Sequence, residues 1–218
     1  MINDNKSNNS INNSKDIEKE LTRIFDRFNH HFFNDELPEV IITFKPTRGA
    51  LGHMTSWRAW GSDTAEDKYE LNISAFDLDR SPKEICETLL HEQVHLYNII
   101  HRIKDCSNKG RYHNLNYKRT AEQHGLICEK LDYYGWALTS FNDEALAYFK
   151  RLNVKKFSYY YKDDISKKKL LLRYVCPKCE KTKAWLSSEQ YIICGKCMCP
   201  MRYTPTEKLY IKRKSGPI

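Results

Sequence analysis

Apolar residues in the first third of the chain follow two different patterns. In residues 17–32 they stand at positions 17, 21, 24, 25, 28 and 32, a spacing that predicts an amphipathic helix. Strand candidates come next. They are "EVIITFKP", which Pro46 closes, "ALGHMTSWRAW", and "YELNISA", in which apolar and polar residues alternate. The pattern therefore predicts helices mixed with strands.

The clearest helix begins at "SPKE". Ser81 suits the N-cap, Pro82 suits the first helical position, and Glu84 completes a capping box. Apolar positions then follow at helical spacing and run through the sequence "HEQVH", which places that sequence on an amphipathic helix. The apolar residues of this helix are Ile85, Leu89, Leu90, Val94 and Leu96.

Polar residues interrupt the pattern after this helix. The segment "KDCSNKGRYH" predicts a loop, and Asn114 can cap a further helix over "LNYKRTAEQHGLICEKL", with a break near Gly125. A short helix is predicted over "NDEALAYFKRL". We divide the chain into a disordered polar tail (1–15), a main domain (16–150), a basic Tyr/Lys-rich linker (151–172), a cysteine-rich module (173–205) and a basic tail (206–218).

Charge is distributed unevenly along the 218 residues. Residues 151–218 hold 17 Lys and Arg against 5 Asp and Glu, a net charge of +12, whereas residues 1–150 carry a net charge of −4. This asymmetry favours an anionic partner for the second part, and we expect DNA. The candidate nucleic-acid contacts are Lys167, Lys168, Lys169, Arg173, Lys178 and Lys196.

Two features bear on the compartment. No run approaches the roughly 20 apolar residues that cross a bilayer, and the Asn-rich start lacks the apolar core of a secretory signal. We therefore expect a cytoplasmic protein without a membrane partner, associated with the nucleoid if it binds DNA. The sequence does not determine the oligomeric state, and we assume a monomer.

The sequence "HEQVH" carries candidate chemistry. His91 and His95 lie one helical turn apart, so both imidazoles can reach one Zn²⁺. Glu92 lies about 100° round the helix from His91, beside the metal, which suits a general base acting on the zinc-bound water. The pattern predicts a hydrolytic zinc site, which needs a third protein ligand.

Three candidates compete for the third ligand. His101 stands where HExxHxxGxxH proteases place a histidine, but Asn98 replaces the glycine, and the only later methionines, at positions 198 and 201, lie among the cysteines. Glu122 or Glu129 would give a carboxylate ligand, although no flanking pattern supports either. His113 follows Gly110 in the predicted loop. The residues alone leave the choice open.

Three other side chains near the motif have less certain roles. We expect His53 to be a hydrogen-bonded structural residue on a strand. Tyr97 and Tyr112 flank metal-ligand candidates and could donate to an oxyanion. Core packing is the simpler interpretation of Tyr97, and the role of Tyr112 stays open.

The cysteines indicate a second metal site. Cys176, Cys179, Cys194 and Cys197 form a C-x2-C-x14-C-x2-C pattern, which is typical of a closed four-thiolate zinc site on two hairpins. Without an export signal, we expect this metal site rather than disulfides. Cys199 is a surplus thiol. The chain is thus predicted to bind two zinc ions, one catalytic and one structural.

The chain resembles the SprT-like family, which includes the Spartan DNA–protein crosslink proteases. The resemblance covers roughly residues 20–205 and is carried by "FFNDELPEVIITFKPTRGALGHMTSW", "EICETLLHEQVHLYN", "GRYHNLNYKRTAEQHGL" and "YVCPKCEKTK…IICGKCMCPM". It implies an α+β, zincin-like metalloprotease domain followed by a small β zinc ribbon. It also implies that His113 is the third ligand.

The resemblance further implies a zinc-dependent endopeptidase acting on DNA-associated or DNA-crosslinked proteins. Two alternatives remain. One is a DNA-binding or regulatory zinc-ribbon protein on a zincin scaffold, and the other is a cytosolic peptidase that acts independently of DNA. An intact Glu92 beside two histidines favours an enzyme over the first.

Overall fold

The computed structural model describes residues 10–159, 161–162, 172–186 and 188–204. Contacts divide the chain into a larger unit that ends at Tyr161 and a smaller unit that begins at Lys162. Helices and short sheets mix in the larger unit, so the predicted α+β class is confirmed. No helix in the described ranges is long and apolar enough to cross a membrane.

The first helix, α1 (Ser14–Phe33), begins at an Asn13 cap whose side chain accepts from the N–H of Asp16. It ends at Asn34, which adopts the left-handed conformation (φ 51°). Its apolar face is buried at the predicted positions except the last, where Phe33 is buried and Phe32 is only partly buried. The buried apolar residues are Ile17, Leu21, Ile24, Phe25, Phe28 and Phe33.

The two ends of the larger unit meet, which corrects two predicted boundaries. Strand β1 (Ser10–Ile11) pairs in parallel with strand β10 (Lys156–Phe157), and the side chains of Ile11 and Phe157 are buried. Residues 10–15 are therefore folded rather than part of a disordered tail, and residues 151–157 belong to the larger unit rather than to a linker. The predicted boundaries differ from the structure because Ile11 and Phe157, although they lie in polar segments, are both buried in the core of the larger unit.

The first sheet lies next to the helix of the HExxH motif. Its order is β2-β5-β3, with β2 parallel and β3 antiparallel to the central strand, and β4 also pairs with β5. Helix α2 (Pro82–Ile100) packs against this sheet and has the predicted capping box between Ser81 and Glu84. The strands are β2 (Val40–Thr43), β3 (Gly52–Met54), β4 (Trp60–Ser62) and β5 (Ala65–Ile73).

A second sheet has the order β6-β7-β9-β8. In the chain, helix α3 (Leu115–Gln123) connects β7 to β8, and helix α4 (Asp143–Leu152) follows β9. The helix predicted over residues 115–131 is wrong beyond Gln123. Gly125 adopts a φ of +91°, a Cβ there would lie 2.8 Å from the Phe32 ring, and the chain leaves as β8. The strands are β6 (Cys106–Ser107), β7 (Tyr112–His113), β8 (Leu126–Leu131) and β9 (Gly135–Phe141).

The smaller unit contains only short strands in its described part. One sheet has the order β12-β11-β15, and β13 pairs with β14. The strands are β11 (Leu172–Val175), β12 (Lys183–Leu186), β13 (Ile193–Cys194), β14 (Cys199–Pro200) and β15 (Arg202–Thr204). This arrangement is compatible with a small zinc ribbon.

Candidate metal centres

Three histidines converge in the larger unit. His91 and His95 share one face of α2, and His113 reaches them from β7. The Nε2 atom of His113 lies 3.1 Å from Nε2 of His91 and 3.0 Å from Nε2 of His95. These three ring nitrogens therefore point at a common centre.

Backbone contacts hold His113 in place. Its N–H donates to the carbonyl of Tyr134 (3.0 Å), and the N–H of Asn114 donates to the carbonyl of Asp105 (2.9 Å). Gly135 pairs with His113 at a φ of +66°, and a Cβ at that position would overlap the His113 carbonyl oxygen. Only glycine allows β7 and β9 to approach this closely, so Gly135 is part of the site's construction.

The three nitrogens fit a zinc ion. In a tetrahedral shell with Zn–N bonds of about 2.0–2.1 Å, ligand nitrogens lie about 3.3–3.4 Å apart. The observed separations of 3.0 and 3.1 Å are close to that value. Moreover, Asp105 accepts a hydrogen bond from Nδ1 of His95 (2.6 Å), which leaves the lone pair of Nε2 directed at the centre.

The surroundings favour the neutral form of two of the three imidazoles. Burial, together with the charges of the neighbouring histidines, lowers the pKa of His91 well below its ordinary value. Burial and His95 lower the pKa of His113 to about 4. Burial also opposes the charged form of His95, but its hydrogen bond to Asp105 outweighs this and raises the pKa. Two of the three imidazoles therefore have lone pairs available at neutral pH.

Glu92 is buried next to this centre. Burial raises the pKa of its carboxyl to about 7, although a hydrogen bond from the backbone N–H of Met54 works in the opposite direction. Strand β3 closes over the carboxylate, since a Cβ on Gly52 would lie 2.9 Å from Oε1 of Glu92. A carboxylate with a pKa near neutrality can accept and return a proton.

The residues behind His95 form a network that the sequence did not predict. Oδ2 of Asp105 contacts Nδ1 of His95 at 2.6 Å and accepts from Nδ2 of Asn98 at 3.1 Å. The Oδ1 of Asn98 in turn accepts from Thr120 Oγ1 at 2.8 Å. Asn98 is therefore a buried helical residue of this network, not a turn residue. The sequence offered no signal for Asp105, because it lies ten positions beyond His95 in a loop.

Tyr117 forms the floor beneath all three histidines. Its ring centroid lies 4.8 Å from that of His91, 4.7 Å from that of His95 and 4.6 Å from that of His113. The side chain is fully buried on α3. Sequence reasoning did not single out Tyr117, since an aromatic residue on an amphipathic helix usually packs in the core.

The other candidates for the third ligand lie away from this centre. His101 caps the end of α2 and its Nε2 contacts Oε2 of Glu36 at 3.1 Å. Glu122 pairs with Lys118 (3.5 Å), and Glu129 is exposed on β8. Of the described residues, only His113 joins His91 and His95 as a possible metal ligand at this centre.

The outer support of the three histidines is unequal. Nδ1 of His91 contacts Oγ1 of Thr139 at 3.0 Å, and Nδ1 of His95 contacts Asp105. Nδ1 of His113 is buried without a hydrogen-bond partner in the described part of the chain. His53 pairs with Asn72 through the β3–β5 ladder, but its side chain makes no hydrogen bond within the described residues, so the expected side-chain hydrogen bond is not found.

Four cysteines converge in the smaller unit. The sulfur atoms of Cys176, Cys179, Cys194 and Cys197 all lie within 4.8 Å of one another. A tetrahedral Zn–S shell with bonds of about 2.3 Å places its sulfurs about 3.8 Å apart, so the group fits zinc. Hydrogen bonds from the side chain and backbone of Thr182 lower the pKa of Cys179 to about 5, which favours the thiolate.

Cys199 is adjacent to the group without joining it. It pairs across strands with Cys194, and its sulfur lies 3.6 Å from that of Cys176.

Of the predicted nucleic-acid contacts, Arg173 lies on β11, and Lys178 and Lys196 lie within the two Cys-x2-Cys loops. The other three, Lys167, Lys168 and Lys169, lie outside the described residues.

A buried HExxH helix with a third histidine from a following loop is the site architecture of zincin-like metallopeptidases. The chain belongs to the SprT-like family, whose model matches residues 21–132 and so includes Glu92 and all three histidines. Family membership is consistent with a metallopeptidase. A search of curated proteins found no matching protein.

Proposed function

We propose that this protein is a zinc-dependent endopeptidase that cleaves proteins bound or crosslinked to DNA. The observation that carries the proposal is the buried carboxylate of Glu92 beside three converging imidazole nitrogens. A purely structural histidine cluster has no need of a buried carboxylate beside it.

His91, His95 and His113 would hold the catalytic Zn²⁺. When bound, the metal supplies a Lewis acid that polarises the scissile carbonyl and makes water a nucleophile near neutral pH. Four cysteines, Cys176, Cys179, Cys194 and Cys197, would hold a second, structural zinc.

The chain's own residues then have distinct tasks. Glu92 takes a proton from the attacking water and delivers it to the leaving amine, for which a pKa of about 7 is well matched. Asp105 keeps the ring of His95 in one orientation and one tautomer. Tyr117 holds the three imidazoles from below and excludes water from that side.

Association with DNA is supported by the charge of the second part of the chain. Residues 151–218 carry a net charge of +12, against −4 for residues 1–150. In the smaller unit, the exposed aromatic side chains of Trp185, Tyr191 and Tyr203 accompany Arg173, Lys178 and Lys196. Cations draw in the phosphate backbone and aromatic faces stack on unpaired bases. The proposed place of action is accordingly the nucleoid in the cytoplasm.

Cleavage of a histone and of the chain itself tests the proposal, with wild type and Glu92→Gln compared with and without DNA. We expect Glu92→Gln to lower the cleavage rate by about 10²–10⁴-fold, because it removes the general base. Zinc content and DNA affinity should stay unchanged, since Glu92 is not a proposed ligand. DNA should stimulate the wild type by bringing enzyme and substrate together.

Three outcomes would replace the proposal. Equal cleavage by wild type and Glu92→Gln would remove Glu92 from the mechanism. Cleavage that DNA does not change would favour the DNA-independent peptidase. Salt-sensitive DNA binding without any cleavage would favour the regulatory DNA-binding protein.

A further inference from the structure

A recess opens directly beside the third histidine. It is about 420 Å³ in volume. Tyr112 and Asn114, which flank His113 in the sequence, both contribute to its wall. The lining residues are Tyr112, Asn114, Leu115, Asn116, Lys130 and Trp136.

The walls of the recess are tied to the histidine centre. A Cβ on Gly135 would lie 2.9 Å from Cε1 of Tyr112, so the Tyr112 ring lies against this glycine, and Trp136 follows it on β9. Three residues further along the same strand, Thr139 contacts His91. Trp136 and Thr139 thus place the recess and the histidine centre along the same strand.

The recess is apolar with positive charge around it. Its surface is mostly apolar, and the side-chain amides of Asn114 and Asn116 already donate to the carbonyl of Lys104. The ammonium groups of Lys118 and Lys130 lie 4.4 and 6.0 Å from the Trp136 ring centroid. The surrounding segment, residues 102–119, contains six Lys and Arg and one Asp.

We propose that this recess is a specificity subsite that accepts an uncharged, preferentially aromatic side chain of the polypeptide substrate and rejects Lys and Arg. The proposal rests on the proposed peptidase function. Aromatic faces favour a flat apolar side chain. Binding of a substrate Lys or Arg there is disfavoured for two reasons. Its charged group would lose hydrating water in the recess, and it would be repelled by the nearby Lys130 and Lys118.

The position of the recess favours a substrate side chain over a nucleobase. Tyr112 and Asn114 flank His113 in the chain, so a group in the recess lies next to the segment that carries this proposed ligand. In addition, the amide groups that could pair with a base edge are engaged with Lys104. A nucleobase remains an outcome that the experiment distinguishes.

The test compares cleavage-site profiles of the full chain and of Lys130→Glu on a denatured, Lys-rich protein mixture, with products identified by mass spectrometry. Wild type should show one position near the cut that is enriched in aromatic residues and depleted of Lys and Arg. Lys130→Glu should raise the share of Lys and Arg at that same position by about fivefold, because reversing one exposed charge changes a pairwise interaction by about that factor. Lys19→Glu, an equal charge change on exposed α1, should keep the wild-type profile.

Each other result counts against the subsite. A profile unchanged by Lys130→Glu, with a wild type that cuts, overturns the subsite alone and leaves the peptidase in place. No difference between wild type and Glu92→Gln overturns both. Trp136→Leu provides a second readout, since it should weaken the aromatic preference. If it lowers the affinity for a short single-stranded oligonucleotide and leaves the profile intact, the recess is a nucleobase site instead.

Discussion

The two metal centres of this chain are built in opposite ways. The histidine centre is carried by α2 and β7, and its proposed ligands contact the buried Tyr117 of α3 and the partly buried Asp105. The cysteine centre is carried by turns and strands of two to four residues, and its two most buried proposed ligands, Cys176 and Cys194, form the described core of the smaller unit together with Tyr174. We therefore expect the histidine centre to form because the larger unit folds, and the smaller unit to fold because its proposed zinc binds.

The largest expected effect follows from that difference. Cys194→Ser should abolish the fold of the smaller unit, because zinc supplies about 10 kcal/mol or more to such modules. His91→Ala should leave the larger unit folded, since its apolar core does not depend on the metal. Amide NMR spectra of the full chain, with metal analysis, check both variants.

Wild type should contain two zinc ions per chain and each variant one. A folded smaller unit in Cys194→Ser would contradict the contrast. So would a larger unit that unfolds in His91→Ala.

The next largest effect is expected for Tyr117, which packs beneath the three histidines. Tyr117→Leu should lower the free energy of unfolding of the larger unit by about 2–4 kcal/mol, since it leaves a void under three imidazoles. Tyr117→Phe should cost less than about 1 kcal/mol, because the hydroxyl makes only a 3.4 Å contact with the His91 carbonyl. Urea unfolding of the metal-free full chain separates packing from metal affinity. Equal losses in both variants would show that the hydroxyl, not the ring, is what matters.

Asp105→Asn should have a smaller and more selective effect. Losing the carboxylate behind His95 should weaken zinc binding at the histidine centre by about 10–100-fold, as outer-shell changes do elsewhere. The cysteine centre should keep its affinity. Competition with a chelator measures both sites in one protein, and Asp132→Asn, on an exposed turn, is the matched control. An equal loss at both centres would point to general destabilisation.

The smallest effect concerns the surplus thiol. Because Cys199 lies next to the group of four without belonging to it, Cys199→Ser should change zinc affinity less than about twofold. Cys197→Ser should lose the metal. If the two substitutions exchanged these outcomes, Cys199 would be the fourth ligand.

Local patterns predicted part of this molecule well. The capping box at Ser81 and the two histidines one turn apart depend on residues within a few positions of each other. The third ligand was different, since the residues alone left His101, His113 and two glutamates open. Only the resemblance to the SprT-like family favoured His113.

Contacts between distant segments could not be predicted. Asp105 and Tyr117 gain their roles because a loop and a helix fold back onto α2, and Gly52 matters because β3 closes over Glu92. The helix expected beyond Gln123 failed for the same reason. Helical propensity is a local property. It contains no information about the packing of Phe32 near Gly125 or the pairing of β8 with β9.

The pairing of β1 with β10 also makes the larger unit a candidate for circular permutation. Ser10 lies beside Lys156, so strands β1 and β10 could be joined by a short linker. New ends could then be opened at the exposed turn of Asp63 and Thr64. A unit whose termini lie close together can also be inserted into a loop of another protein without distorting that protein's fold. The catalytic part could thus be carried to a chosen location by a different partner module.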